Sequence, residues 1–198
     1  MHRRIVLASS SRYRQELLAR LQLSFAVDVP DIDEAALAGE THRQTAERLS
    51  LRKAQAVAQR QPDAIVIGSD QVAELDGVAI GKPGSHERAL EQLLAMQGRS
   101  VLFHTGLALI DTRDGQTRVD CVATEVLFRR LPRAQLEHYL RLDTPYDCAG
   151  SARIESLGIC LVEHVRSDDP SALIGLPLVR LCSLLATLGV SLPHAPSG

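Results

Sequence analysis

Apolar positions along the chain change period repeatedly, and each change marks an element. Ile5–Ala8 is a four-residue apolar run, as a buried strand requires, and it leads through three serines into Ser11–Leu21, where Leu17, Leu18 and Leu21 recur at helical spacing. Ser24–Val29 reads as a second strand. After the acidic loop "DIDEAALAGE", helical periodicity returns from Thr41 to Gln59 through Ala46, Leu49, Ala54 and Val57. "AIVIGS" is continuously apolar between Pro62 and Gly68, the pattern of a strand covered on both faces. "QVAEL-DG-VAIG" predicts a hairpin, because Asp76-Gly77 supplies the two positive-φ residues of a type I′ turn. Ser85 caps a helix to Met96, closed by Gly98.

Two long strands follow, "SVLFHTGLALI" and "TRVDCVATEVLF", joined by "DTRDGQ" as an antiparallel hairpin. Pro132 starts a helix to Leu140. "YDCAGSARIESLG" reads as loop, "ICLVEHV" as a strand and "LPLVRLCSLLATLG" as a closing helix, with a loose tail "SLPHAPSG". No internal repeat or linker breaks the series. The prediction is an α/β chain around a mixed sheet, and the long antiparallel pair is at odds with a strict Rossmann arrangement.

Three polar residues interrupt these apolar patterns. Arg14 shares the face of Leu17, Leu18 and Leu21 at a helix start whose serines and free N–H groups form a cradle for phosphate. Arg14 either meets an anion there or reaches back to solvent while Ser10 or Ser11 merely caps. Lys53 sits within the apolar stripe of the second helix, where a lysine needs a partner: a structural salt bridge or a ligand. Asp70 follows the apolar run of "IVIGSDQV", where α/β sheets collect ligands at strand ends, and calls for Lys53, Arg14 or a metal nearby. Its alternative role is to begin a turn. Asp33 and Glu34 either add carboxylate oxygens for a hard cation or are solvated loop residues.

Composition narrows the classes. A net charge of −2 over 198 residues argues against a nucleic-acid polymer or an anionic membrane as partner. No apolar run reaches the roughly 18 residues of a membrane span, and the N-terminal run is shorter than the core of a secretory signal. Four cysteines without CxxC spacing read as reduced thiols, hence a cytoplasmic location. "GVAIGKPGS" is not a Walker A loop, since three residues rather than four separate its glycines and Pro83 follows Lys82; Lys82 remains a point charge for phosphate.

"LASSSRYRQELL", the "DE" of "DIDEA", "LSLRKAQA", "IGSDQV" and "GKP" stand in the order and spacing of the Maf-like nucleotide pyrophosphatases, and the chain resembles that family from Ile5 to Leu188. "GSDQV" and "CAGSARIESLGI" resemble the branch that hydrolyses 7-methyl-GTP. The resemblance implies a single domain over residues 1–198. It also implies an elongated mixed sheet flanked by helices, with a cleft between two lobes, as in inosine-triphosphatase-like folds, and a homodimer dependent on a divalent cation such as Mg²⁺ or Mn²⁺.

Carried over residue by residue, the resemblance makes Asp70 the catalytic proton acceptor, Ser9 and Arg14 phosphate contacts, Glu34, Lys53 and Lys82 further polar active-site residues, and Tyr13, Gln71 and Glu155 the residues that tune substrate choice. The mechanism expected from them has Ser9, Arg14, Lys53 and Lys82 hold a triphosphate and Asp70 and Glu34 hold the metal. Tyr13 offers a π face and Glu155 a carboxylate to a cationic base, while Gln71 offers both a donor and an acceptor to a base edge. On their own, Tyr13 also fits a core aromatic and Glu155 a loop charge. Arg12 stands where the family usually has proline. The rival expectations are a pyrophosphatase for dTTP and UTP or for modified nucleotides broadly, and a non-catalytic nucleotide-binding regulator of cell division.

Overall fold

The computed structural model describes residues 3–193. The end of the tail expected to be loose, from residue 194, lies outside them. The strands are β1 (Arg4–Ala8), β2 (Phe25–Val27), β3 (Ala64–Leu75), β4 (Val78–Ile80), β5 (Ser100–Asp111), β6 (Thr117–Phe128) and β7 (Val162–Ser167). The α-helices are α1 (Arg12–Ala19), α2 (His42–Ala58), α3 (His86–Met96), α4 (Arg133–Asp143) and α5 (Leu178–Thr187). They surround a mixed seven-stranded sheet of order β2-β1-β3-β5-β6-β7, with β4 paired to β3. β1 runs parallel to β2 and β3, while the β3–β4 and β6–β7 pairs are antiparallel.

Packing divides the chain into two compact units, one of Met1–Gln71, Thr105–Val122 and Asp169–Gly198, the other of Val72–His104 and Ala123–Asp168. In the first unit, side-chain parity explains the continuous apolar runs. Ile5, Leu7, Ile65, Ile67, Leu107 and Leu109 form one core with Leu17 and Leu18 of α1 and Leu181 and Leu185 of α5. Val6, Ala8, Ala64, Val66, Ala108 and Ile110 form another with Ala54 and Val57 of α2. Successive strand residues point to opposite faces, so a sheet covered on both sides has no polar alternation to show. Helix α2 lies very close to the sheet. A Cβ built on Gly68 would fall 2.2 Å from the Ser50 carbonyl oxygen, and one on Gly106 2.3 Å from that of Ala46.

Helix starts follow the sequence. Ser11 caps α1, Thr41 and Gln44 form a capping box on α2, and Ser85 caps α3. Arg12 is the first residue of α1, the position that best tolerates proline, and it pairs with Glu16 on the surface. Pro177 gives α5 no side-chain cap. The first-turn N–H groups of Leu178 and Arg180 instead donate to Ser171 Oγ (2.6 Å) and to the buried Asp169 Oδ2 (3.1 Å).

In the second unit, Asp76 and Gly77 take positive φ, as the predicted turn requires, and Leu75 pairs with Val78. The loop-like stretch contains short 3₁₀ segments at Ala149–Ser151 and Leu157–Leu161.

Three expectations are corrected. "AIVIGSDQVAEL" is one twelve-residue strand, so Asp70 lies inside β3 rather than at its end. β3 runs on beside the equally long β5, and β4 takes up its last residues, Ala73–Leu75, whereas its pairing with β1 stops at Ala8–Gly68. Ile159–Leu161 belongs to a 3₁₀ segment, and the strand begins only at Val162. Helix α4 continues past Leu140 to Asp143, stopping where Thr144 turns left-handed.

Acid sensitivity has an identifiable source in the loop before α2. Hydrogen bonds from Arg48 hold the Glu40 carboxyl down to about 2 from an ordinary value of 4.5. The unfolded chain therefore takes up a proton at a pH where folded Glu40 has not, and the folded form loses stability as pH falls through that window. Urea midpoints measured between pH 5 and 2 are expected to fall more steeply for the parent chain than for Glu40→Gln.

Candidate active site

Ser69, Asp70 and Gln71 continue the parity of β3 as polar groups beyond the last β1 pair, and so deal their side chains to opposite faces of the sheet. On the α2 face, Lys53 Nζ lies 2.6 Å from Asp70 Oδ1 and 2.7 Å from Glu34 Oε1. The Lys53 and Asp70 side chains are 8% and 11% exposed, so the pair is largely shielded from water. This explains the lysine in an apolar stripe: α2 carries it in on the face that packs against Gly68, and two carboxylates receive it. Lys53 and Asp70 thus satisfy each other, as the buried carboxylate demanded.

The opposite face holds Arg14. Its Nε donates to the Gly175 carbonyl oxygen at 2.8 Å, and the Ser69 hydroxyl shares its one hydrogen between the same oxygen, at 2.9 Å, and the Gly106 carbonyl, at 2.7 Å. Burial lowers the Arg14 pKa from its usual value, opposed by the charges of Asp70 and Glu34. Arg14 points inward, as its place on the leucine face predicted. Gly175 was missed by sequence reasoning. Its φ of +120° suits glycine, and a Cβ there would sit 3.6 Å from Arg14 Nε. The only sequence signal is a lone glycine before a helix. Ser9 is buried, and its hydroxyl oxygen accepts from Ser11 N at 3.1 Å.

Gln71 corrects an expectation. Its Nε2 donates to Thr105 Oγ1 (2.9 Å) and to the carbonyls of Ala172 (3.0 Å) and Leu173 (3.1 Å). Backbone carbonyls only accept, so these contacts fix the amide orientation and occupy its donor end. Oε1 alone remains for a ligand. Tyr13 is half-buried in α1, one residue before Arg14. Asp33 is exposed and its carboxylate accepts from Ala35 N, so it serves its own loop.

Lys82 and Glu155 belong to the second unit. Lys82 is exposed, two residues beyond Ile80 of β4, in a loop tied down by Gln92 Nε2 to the Gly81 carbonyl (3.1 Å) and by Gly84 N to that of Tyr146 (3.0 Å). Glu155 lies in a tight turn in which the Arg153 carbonyl accepts from Ser156 N and Gly158 N, both at 3.0 Å.

Sequence comparison bears directly on this arrangement. The family model described as "Maf-like protein" matches residues 4–188, nearly the whole chain. This chain belongs to the Maf family. Among its Maf relatives, the 7-methyl-GTP pyrophosphatase of Cupriavidus pinatubonensis is 58% identical over 186 residues, covering 94% of each chain. The protein of the same name from Burkholderia thailandensis is 55% identical, covering 98% of this chain and 92% of its own. Among solved structures, a HAM1 protein from Coxiella burnetii matches with a TM-score of 0.56 at 21% identity, over 94% of this chain and all of that one. That likeness concerns the fold alone. The family expected from the motifs is the family that matches.

Oxygen donors are the ones this Maf chain offers to a metal. Asp70 and Glu34 present carboxylates to a single ammonium, and among the described residues no three His, Cys, Asp or Glu form a cage by themselves. That donor set suits Mg²⁺ or Mn²⁺, which binds through one or two carboxylates and completes its shell with water and phosphate oxygens.

Proposed function

We propose that this chain is a nucleoside triphosphate pyrophosphatase that cleaves 7-methyl-GTP between its α and β phosphates, giving 7-methyl-GMP and pyrophosphate. The observation that carries the reading is the shielded Lys53–Asp70 pair, met by the exposed Glu34, with Arg14 held inward across the strand, in a chain whose relatives at 51–58% identity are named 7-methyl-GTP pyrophosphatases. Phosphoryl chemistry asks chiefly for positioning and charge neutralisation. Arg14, Lys53, Lys82 and the Ser9 hydroxyl are assigned to the triphosphate. Asp70, its carboxylate oriented by Lys53, accepts the proton of the attacking water as its oxygen bonds to phosphorus; pyrophosphate departs with the bridging oxygen. Asp70 and Glu34 would hold a divalent ion, which supplies charge neutralisation at the phosphates and acidifies bound water.

Base choice is assigned to Tyr13, Glu155 and Gln71. N7 methylation leaves guanine with delocalised positive charge, for which a π face and a carboxylate are suited partners. The open Gln71 Oε1 accepts an N–H of the base. A pyrophosphate-release assay over 7-methyl-GTP, GTP, dTTP and UTP with Mg²⁺ or Mn²⁺ tests the reading. 7-methyl-GTP is expected to lead, and equal rates would defeat the specificity. Binding without pyrophosphate release would favour the regulatory role instead. A homodimer, a single domain over residues 1–198 and a cytoplasmic location complete the proposal. Light scattering and cell fractionation check the first and last, and four free thiols are in keeping with a reducing compartment.

A further inference from the structure

Glu34 reaches Lys53 from a loop without regular secondary structure, and its side chain is 57% exposed. An ion pair made by so exposed a side chain positions it weakly, because the side chain gives up conformational freedom to hold one geometry. The loop is fixed elsewhere. Arg48 grips Glu40 with two parallel bonds, Nε to Oε1 at 2.5 Å and Nη2 to Oε2 at 2.8 Å, and the same Nη2 donates to the Ala35 carbonyl at 3.0 Å. Glu40 Oε2 also accepts from Leu37 N and Thr45 Oγ1, each at 3.1 Å.

This pair is 18% and 16% exposed, unlike a surface bridge, and its forked geometry is the directional form of the interaction. It ties down both ends of the stretch that starts one residue after Glu34. Arg48 and Lys53 lie on the same helix, so one rigid element carries both the clamp and the ammonium that Glu34 must meet. The mechanism above gives neither Arg48 nor Glu40 a role.

We propose that Arg48 and Glu40 are positioning residues for Glu34: they set the 33–40 loop so that the Glu34 carboxylate is presented to Lys53 and the Asp70 site. The inference rests on the assignment of Glu34 to the active site. Neither residue touches substrate, and the effect passes entirely through Glu34.

A double-mutant cycle tests it. Arg48→Met is expected to lower kcat/KM for 7-methyl-GTP by about tenfold to a hundredfold, as a misplacement near 1 Å does. In a Glu34→Gln background the same substitution should cost less than about threefold, because the group it positions is already disabled. Glu40→Gln should behave alike, and Arg48→Lys, which keeps the charge without the fork, should fall between. Two readouts do not need turnover. Amide exchange over residues 33–37 should quicken in Arg48→Met, and Mn²⁺ affinity, read from the free-ion paramagnetic signal, should weaken in Arg48→Met but not further in the double variant. Equal losses in both backgrounds, or unchanged exchange over 33–37, overturn the inference. A parent chain that releases no pyrophosphate overturns the enzymatic reading instead, while exchange and Mn²⁺ affinity still decide whether the clamp acts on Glu34.

Discussion

Asp70→Asn will fold and bind nucleotide yet lose about 10³-fold in turnover, the scale of a positioned general base. Asparagine preserves the shape of the side chain and can still face Lys53, and Lys53 keeps Glu34 at 2.7 Å, so the cluster is not left as an isolated buried cation. What disappears is the group proposed as proton acceptor and as one carboxylate ligand for a divalent ion. A steady-state assay of pyrophosphate release, with the thermal midpoint measured in parallel, checks the separation. An unchanged midpoint with collapsed kcat is the expected result, and retained turnover would remove Asp70 from the chemistry.

Gly68→Ala is the second large effect, and it acts through packing. Its new methyl carbon would stand 2.2 Å from the Ser50 carbonyl oxygen and 2.8 Å from Ala54 N, both backbone atoms of α2. Backbone cannot rotate away, so the helix itself must move. Overpacking of this kind costs about 1–3 kcal/mol or more, which in a chain of this size lowers the melting temperature by roughly 2–12 °C. Since α2 carries Lys53, turnover should fall with stability, although residue 68 touches no substrate. Gly106→Ala meets the same helix at Ala46 and is expected to show the same coupled loss. Calorimetry and kinetics on both variants test it; an unaltered kcat in a destabilised protein would show that α2 can shift without moving Lys53.

Sequence patterning foretold the fold closely because its signals are local. Helix caps at Ser11, Thr41 and Ser85 and the turn at Asp76-Gly77 depend on residues within a few positions of each other. Boundaries failed where the decision was made by a distant partner. β3 passes straight through Asp70 alongside β5, a twelve-residue strand far along the chain whose partnership no local period records.

The site was legible where a residue broke its own pattern. Lys53 in an apolar stripe and Asp70 after an apolar run each demanded a partner, and each is the other's. The remainder was hidden because it is made of backbone. The Gly175 oxygen that holds Arg14 and Ser69, and the Ala172 and Leu173 oxygens that take up the donor end of Gln71, are groups every residue possesses. Only their placement gives them meaning. Asp169 supplies the missing cap of α5 from eleven residues before the Arg180 N–H it accepts from, beyond the reach of a local capping signal.

The first unit is assembled from three separated stretches of chain, and the last of them, from Asp169, supplies the Gly175 oxygen to Arg14. A growing polypeptide therefore exposes Arg14 and Ser69 on the ribosome long before the atom that orients them has been made. Closing contacts across more than 160 positions is slow relative to local pairing. Competence should arrive abruptly once the segment from Asp169 has been made, as the step that completes the unit.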